Sequence, residues 1–384
     1  MATAPTNIAL RYTQRRVLLL SLFPLGLLFV ITVTLARTYH VREAELARQW
    51  LQQGNADMAA AQPAKALEDF RNALSYDPVN NLIQLRLAEA LLADGRLPEA
   101  NSYLLNLWDR TPGSGEINLD LAHVAARTGD EDQAIRYFRE AIFGSWETAP
   151  AQQREKTRLE LCNFLLDHNR LDDARRELAG LAAEIPPEEG ALHDLTGRLF
   201  LKAGDSARAF TEFEAALRSN PNQSQWLDDA GGAAYDLGDY QKAETYLAQA
   251  NRENHSVPTQ QMLETVRALL RADPYLSGLS DEEQMRRSWL AFEQGLVRLR
   301  TCTESVGKQP TTDSPSELQV LAKNAEDLKG RVNLQSLSKQ PEMRNDAMRL
   351  VFRIEAETSS VCGAPSGADQ ALLRIGKKHE GSDR

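Results

Sequence analysis

Six histidines and three cysteines are the most reactive side chains in this sequence. The histidines are His40, His123, His168, His193, His255 and His379. None has a second histidine or cysteine at the spacing with which a helix presents two ligands to one ion. His168 follows Asp167 in the turn-like stretch DHN. The acid pairs Asp172-Asp173, Glu188-Glu189 and Asp228-Asp229 are of the right type for proton transfer. On amphipathic helices, however, such neighbours mark a solvated face. No G-x-S-x-G, H-E-x-x-H or Walker sequence is present, and no C-x-x-C pair suggests a zinc or redox site. The expectation is therefore no catalytic residue, no metal ligands, no cofactor and no enzyme activity. One rival keeps a hydrolase or transferase activity in residues 258–384.

The two-glycine stretch GGAAYDLGDYQKAETYLAQA at 231–250 tempts a phosphate-loop reading. Such a loop needs a preceding strand and a lysine partner, and neither is present. Leu and Ala dominate the chain and β-branched residues are sparse outside 17–36, which favours helix almost everywhere. Hydrophobic residues make up 42% and charged residues 26%, enough for a folded core. The formal net charge of −10, with no basic stripe, argues against nucleic acid as a partner.

Residues 1–16 carry Arg11, Arg15 and Arg16 without an acid. They precede VLLLSLFPLGLLFVITVTLA, residues 17–36, uncharged throughout. A helix of this length spans roughly 30 Å, the hydrocarbon thickness of a bilayer. The expectation is a short basic cytoplasmic tail over 1–16 and a transmembrane signal-anchor over 17–36. That makes the lipid bilayer a partner and the chain a single-pass protein of the bacterial inner membrane, its body in the periplasm. Arg37, Arg42 and Arg48 follow closely, so a rival topology leaves the body cytoplasmic as an assembly regulator.

Beyond the apolar run, alanines recur at 66, 100, 134, 174, 209 and 243. Twelve residues before each stands a small residue: Gly54, Ala88, Ala122, Cys162, Gly197 and Gly231. Four residues after each, Phe70, Leu104, Phe138, Leu178, Phe213 and Leu247 supply a large apolar group. Small side chains let two helices cross closely, and the large group fills the gap beside them. Prolines such as Pro78, Pro112, Pro186 and Pro221 then stop the second helix. Gly95, Gly129, Gly204 and Gly238 sit where the first helix ends. Gly231 and Gly232 are thereby assigned to a helix crossing. This pattern resembles the tetratricopeptide repeat over residues 47–257, with copies near 47–80, 81–114, 115–150, 155–189, 190–223 and 224–257. The longer connection GSWETAP at 144–150 and His255 in place of a closing proline depart from it.

The resemblance implies an all-α solenoid of about six helix pairs that binds proteins or peptides along the groove lined by each first helix. The ninth position of each copy then faces that groove, holding Asn55, Glu89, His123, Asn163, Arg198 and Gly232, with Arg127 and Tyr235 nearby. Lysines of the carboxylate-clamp subclass are absent, so no clamp is expected. Residues 258–306 read as capping helices, with amphipathic runs at 259–270 and 281–302; 307–315 is a polar linker. Residues 316–384 form a helical accessory region with a disordered end, including a helix from Pro341 to about Glu357. Cys162 fills a small, buried repeat position, while Cys302 and Cys362 are a candidate disulfide. The functional expectation is a membrane-anchored interaction scaffold for an envelope complex. The sequence leaves its client and oligomeric state open.

Overall fold

The computed structural model describes the backbone of residues 7–306 and 317–382, and side-chain surroundings over 27–306 and 317–379. The linker read at 307–315 lies outside the described residues, as do the side chains of the basic tail. The described chain divides into two compact units, residues 1–165 and 166–384.

Unit 1 is built from helix pairs. Helix α1 (Asn7–Ala59) meets α2 (Pro63–Tyr76), α3 (Asn81–Ala93) meets α4 (Leu97–Arg110), and α5 (Gly115–Thr128) meets α6 (Glu131–Phe143). Helix α7 (Pro150–Asp167) runs to the edge of the unit. Among the described residues, no helix is long and apolar enough to cross a membrane. This corrects the transmembrane segment expected over 17–36 and the single-pass inner-membrane placement. Side chains 17–26 lie outside those described. The remainder of the apolar run, 27–36, gives about 15 Å of helix, half the hydrocarbon thickness, before Arg37. Leu28, Phe29 and Leu35 stand exposed on it.

Unit 2 begins with α8 (Leu171–Ala182) and continues through α9 (Gly190–Lys202) paired with α10 (Ser206–Ser219), and α11 (Ser224–Asp236) paired with α12 (Tyr240–Glu253). Then come α13 (Val257–Ala272), α14 (Asp281–Val306), α15 (Glu317–Lys329), α16 (Leu334–Lys339), α17 (Pro341–Cys362) and α18 (Gly367–Ser382). Helix α14 packs chiefly on α17, and α18 rests on both α17 and α13. Residues up to Ser382, expected to be disordered at the end, are therefore helical. Tyr275 and His379 hold that end down, their rings 4.4 Å apart.

The six anchoring alanines are all 0% exposed. The large apolar partners Phe70, Leu104, Phe138, Leu178, Phe213 and Leu247 are likewise buried. At the crossings there is no room for a side chain: a Cβ on Gly54 would fall 2.5 Å from the Phe70 ring, and one on Gly197 2.6 Å from Phe213. Gly231 is crowded by Leu247 in the same way, whereas Gly232 faces open space. Gly232 is thus not part of a crossing. Neighbouring residues of a helix point about 100° apart, so only one of two adjacent glycines can face the partner. At Gly129 and Gly238 the backbone turns left-handed, φ +81° and +77°, as the helix ends.

The departure at 144–150 has a local purpose. The Trp146 ring lies where a Cβ on Gly115 would sit, and its Nε1 donates to the Ala141 carbonyl at 3.0 Å. Gly115 and Ser145 add backbone bonds of 2.8 Å, so the longer connection is fastened back onto the start of α5.

Two glycine substitutions follow with opposite signs. Gly197→Ala should destabilise the chain by about 1–3 kcal/mol, because overpacking a filled crossing forces Phe213 to move. Gly232→Ala should stabilise it by about 0.5–1 kcal/mol, because a helical alanine there meets nothing. Urea denaturation of both variants measures the contrast, and equal effects would contradict the assigned crossing.

Candidate partner-binding faces

The first helix of each pair carries a row of polar residues at intervals of three or four, which places them on one face. On α3 this row includes Arg86 and Glu89; on α5 it is Glu116, Asp120, His123 and Arg127; on α7 it is Lys156, Glu160 and Asn163. The rows are cross-linked. Arg86 Nη1 donates both to Glu89 Oε1 at 2.5 Å and to Glu116 Oε1 at 3.1 Å. His123 Nε2 meets Glu160 Oε2 at 3.0 Å, and Lys156 approaches the same carboxylate at 3.9 Å. The His123 hydrogen bond holds the Glu160 carboxyl below its ordinary range, against the cost of burial. Burial pushes Glu89 up, and Arg86 only partly offsets it. Arg127 reaches back to the Leu92 carbonyl.

Asn55 is exposed on α1, and Asn163 is exposed with its amide donating to the Leu159 carbonyl at 3.0 Å. On unit 2, Arg198 pairs with Asp194 and, at 3.1 Å, with Asp229 on α11. Asp194 is buried, and burial, more than Asp229, pushes its carboxyl up to about 6 despite Arg198. Tyr235 is only 6% exposed. The Arg374 guanidinium of α18 covers it, 3.9 Å from the ring centroid, and Lys378 stands 5.2 Å from the neighbouring Tyr240 ring. Between α13 and α18 a cavity of about 360 Å³ remains, lined by Tyr235, Gln261, Glu264, Thr265 and Arg374 among others.

The structure therefore places Glu89, His123 and Arg127 in three separate sets of contacts on unit 1, leaves Asn55 and Asn163 exposed, ties Arg198 to two acids, and buries Tyr235. Reading one position per repeat missed Arg86, Glu116 and Asp120. Their signal was their spacing: Arg86 and Asp120 each lie three residues from a chosen position on the same helix, and Glu116 lies seven, two turns, from His123. Cys302 and Cys362 form a disulfide, their Cα atoms 5.8 Å apart, and Cys162 is buried. Among the described residues no group of three or more His, Cys, Asp or Glu could hold a metal ion.

Arg374→Ala should loosen α18 by about 1 kcal/mol, the scale of one partly desolvated cation–π contact. Hydrogen exchange along α18 measures it, and unchanged protection there would show that the contact contributes nothing.

Family models described as tetratricopeptide repeat match residues 51–115, 163–224 and 195–258, and a further one matches 115–142. Among curated proteins, DnaJ homolog subfamily C member 3 of Mus musculus is 25% identical over 210 residues, covering 50% of this chain and 40% of that protein. Its Homo sapiens counterpart is 23% identical over the same shares. The match thus spans well under half the length of these relatives. Among solved structures, Pseudomonas aeruginosa pilF is 14% identical over 58% of this chain and 98% of its own, with TM-score 0.38. PilW, described as a widely conserved type IV pilus biogenesis factor, is 21% identical over 58% and 98%, with TM-score 0.37. The tetratricopeptide domain of P58(IPK) is 16% identical over 88% and 99%, with TM-score 0.29.

Proposed function

We propose, from the premise that residues 51–142 and 163–258 of this chain carry tetratricopeptide repeats, that the protein is an interaction scaffold. It holds protein or peptide segments on the polar faces of its first helices, and so helps to assemble or stabilise a larger complex. The observation that supports this reading is the character of those faces. Outward from each buried alanine seam, the first helices keep charged and amide side chains at regular helical intervals, several of them exposed, as at Asn55, Asn163 and Arg198. A face so furnished offers hydrogen bonds and charge to an extended chain without refolding.

A photo-crosslinking residue at Asn163 or Gly232, compared with one at the exposed Thr211 on α10, tests the reading in the full chain. Saturable crosslinks from the first two positions and none from the third are expected. Crosslinks arising equally or only from Thr211 would move the binding surface elsewhere.

A further inference from the structure

We propose that the face formed by α3, α5 and α7 accepts a cationic side chain, a lysine or arginine of a bound protein segment, against the Asp120 carboxylate. This rests on the scaffold reading and names the chemistry of its partner.

The charges on this face are unevenly served. One guanidinium, Arg86, is divided between Glu89 and Glu116. Glu160 has His123 and Lys156. Asp120, one helical turn from Glu116, is only 9% exposed, and its Oδ2 is buried without a hydrogen bond. Burial first, then the charges of Glu89 and Glu116, push this carboxyl well above the usual range, with Arg86 opposing. A carboxylate taken from water and left unpaired is costly. A positive group arriving from outside removes that cost and gains a charge-assisted hydrogen bond.

A second, separate instance stands on unit 2. There Arg198 is again shared by two acids, Asp194 and Asp229, and Asp194 is 5% exposed with Oδ1 buried and unbonded. In each unit the repeat scaffold supplies one arginine to two acids and leaves a buried carboxylate oxygen without a partner.

The test uses the full chain and a fluorescein-labelled peptide of alternating lysine and glycine, with a glutamate–glycine peptide as control, read by fluorescence anisotropy at physiological salt. Asp120→Asn keeps the shape and removes the charge. Asp109→Asn, an exposed acid on α4, changes the net charge equally. Expected is binding of the lysine peptide only, weakened about tenfold by Asp120→Asn and less than about twofold by Asp109→Asn. Wild-type affinity rises with pH as Asp120 ionises, and that rise is missing in Asp120→Asn. The variant should also melt higher than wild type near neutral pH, which separates loss of binding from misfolding. The proposal is overturned if the two variants bind alike, or if the lysine peptide binds no better than the glutamate one. In that case persistent crosslinks at Asn163 or Gly232 leave the scaffold reading standing, and their absence removes both.

Discussion

Breaking the Cys302–Cys362 bridge should cost the carboxyl-terminal helices about 4 kcal/mol. The bridge closes a loop of 60 residues, and a cross-link over that length removes about this much freedom from the unfolded chain. Its position adds to the effect. Cys302 lies near the end of α14 and Cys362 ends α17, the helices that form the main packing pair of this region. Phe292, Val351 and Ile354 fill the space between and around them, all buried. Without the bridge, this pair must be held by its apolar surface and by polar contacts such as Arg298 to Thr358. Urea denaturation of a Cys302→Ala, Cys362→Ala double variant, followed by hydrogen exchange on α14 and α17, gives the number. A loss below about 1 kcal/mol would mean that the unfolded chain is already constrained.

The second large effect concerns Glu355, which is 0% exposed on α17 with neither carboxyl oxygen hydrogen-bonded. Burial pushes this acid up to about 8, the Asp369 charge on α18 adds to the shift, and Arg298 on α14 opposes it. Arg298 is occupied elsewhere, donating to Thr358 Oγ1 at 3.3 Å and to the Gly363 carbonyl at 2.8 Å. Unfolded, Glu355 ionises near 4.5; folded, it holds its proton to about 8. Between these values the unfolded chain binds fewer protons than the native one, so stability falls as pH rises. By pH 7 the loss is about 3 kcal/mol. Glu355→Gln removes the ionisation while keeping the shape. Wild type and variant should match below about pH 4, and the variant should be the more stable by about pH 8. Denaturation curves that stay parallel across this range would show that the acid is served by a partner after all.

Much of this architecture is written locally in the chain. A small residue, an alanine twelve later and a large apolar group four beyond that specify a crossing, because each acts through sterics between helices adjacent in sequence. Ala66, Ala100, Ala134, Ala174, Ala209 and Ala243 were identifiable on that basis, and all are sealed from solvent. Gly232 was misplaced because a residue pattern does not say which of two adjacent glycines turns inward. The apolar run at 17–36 was assigned from length and composition, and those alone do not fix what surrounds a helix. Asp120 escaped notice for a different reason. Its isolation depends on how Arg86 divides itself between two other acids, a matter of geometry across two helices. The contact of Arg374 with Tyr235 joins positions 139 apart, with no periodicity to link them.

That last contact bears on how large an array this protein can build. A stack of helical hairpins ordinarily ends in a flank onto which another hairpin, or another copy, can be laid. Here α13 would offer that flank, and α18 already lies on it, with Arg374 and Lys378 set against the tyrosines of the final hairpin. Growth from this end is closed off by the molecule's own tail. Stacking of a further hairpin through α13 would therefore require α18 to leave that helix first.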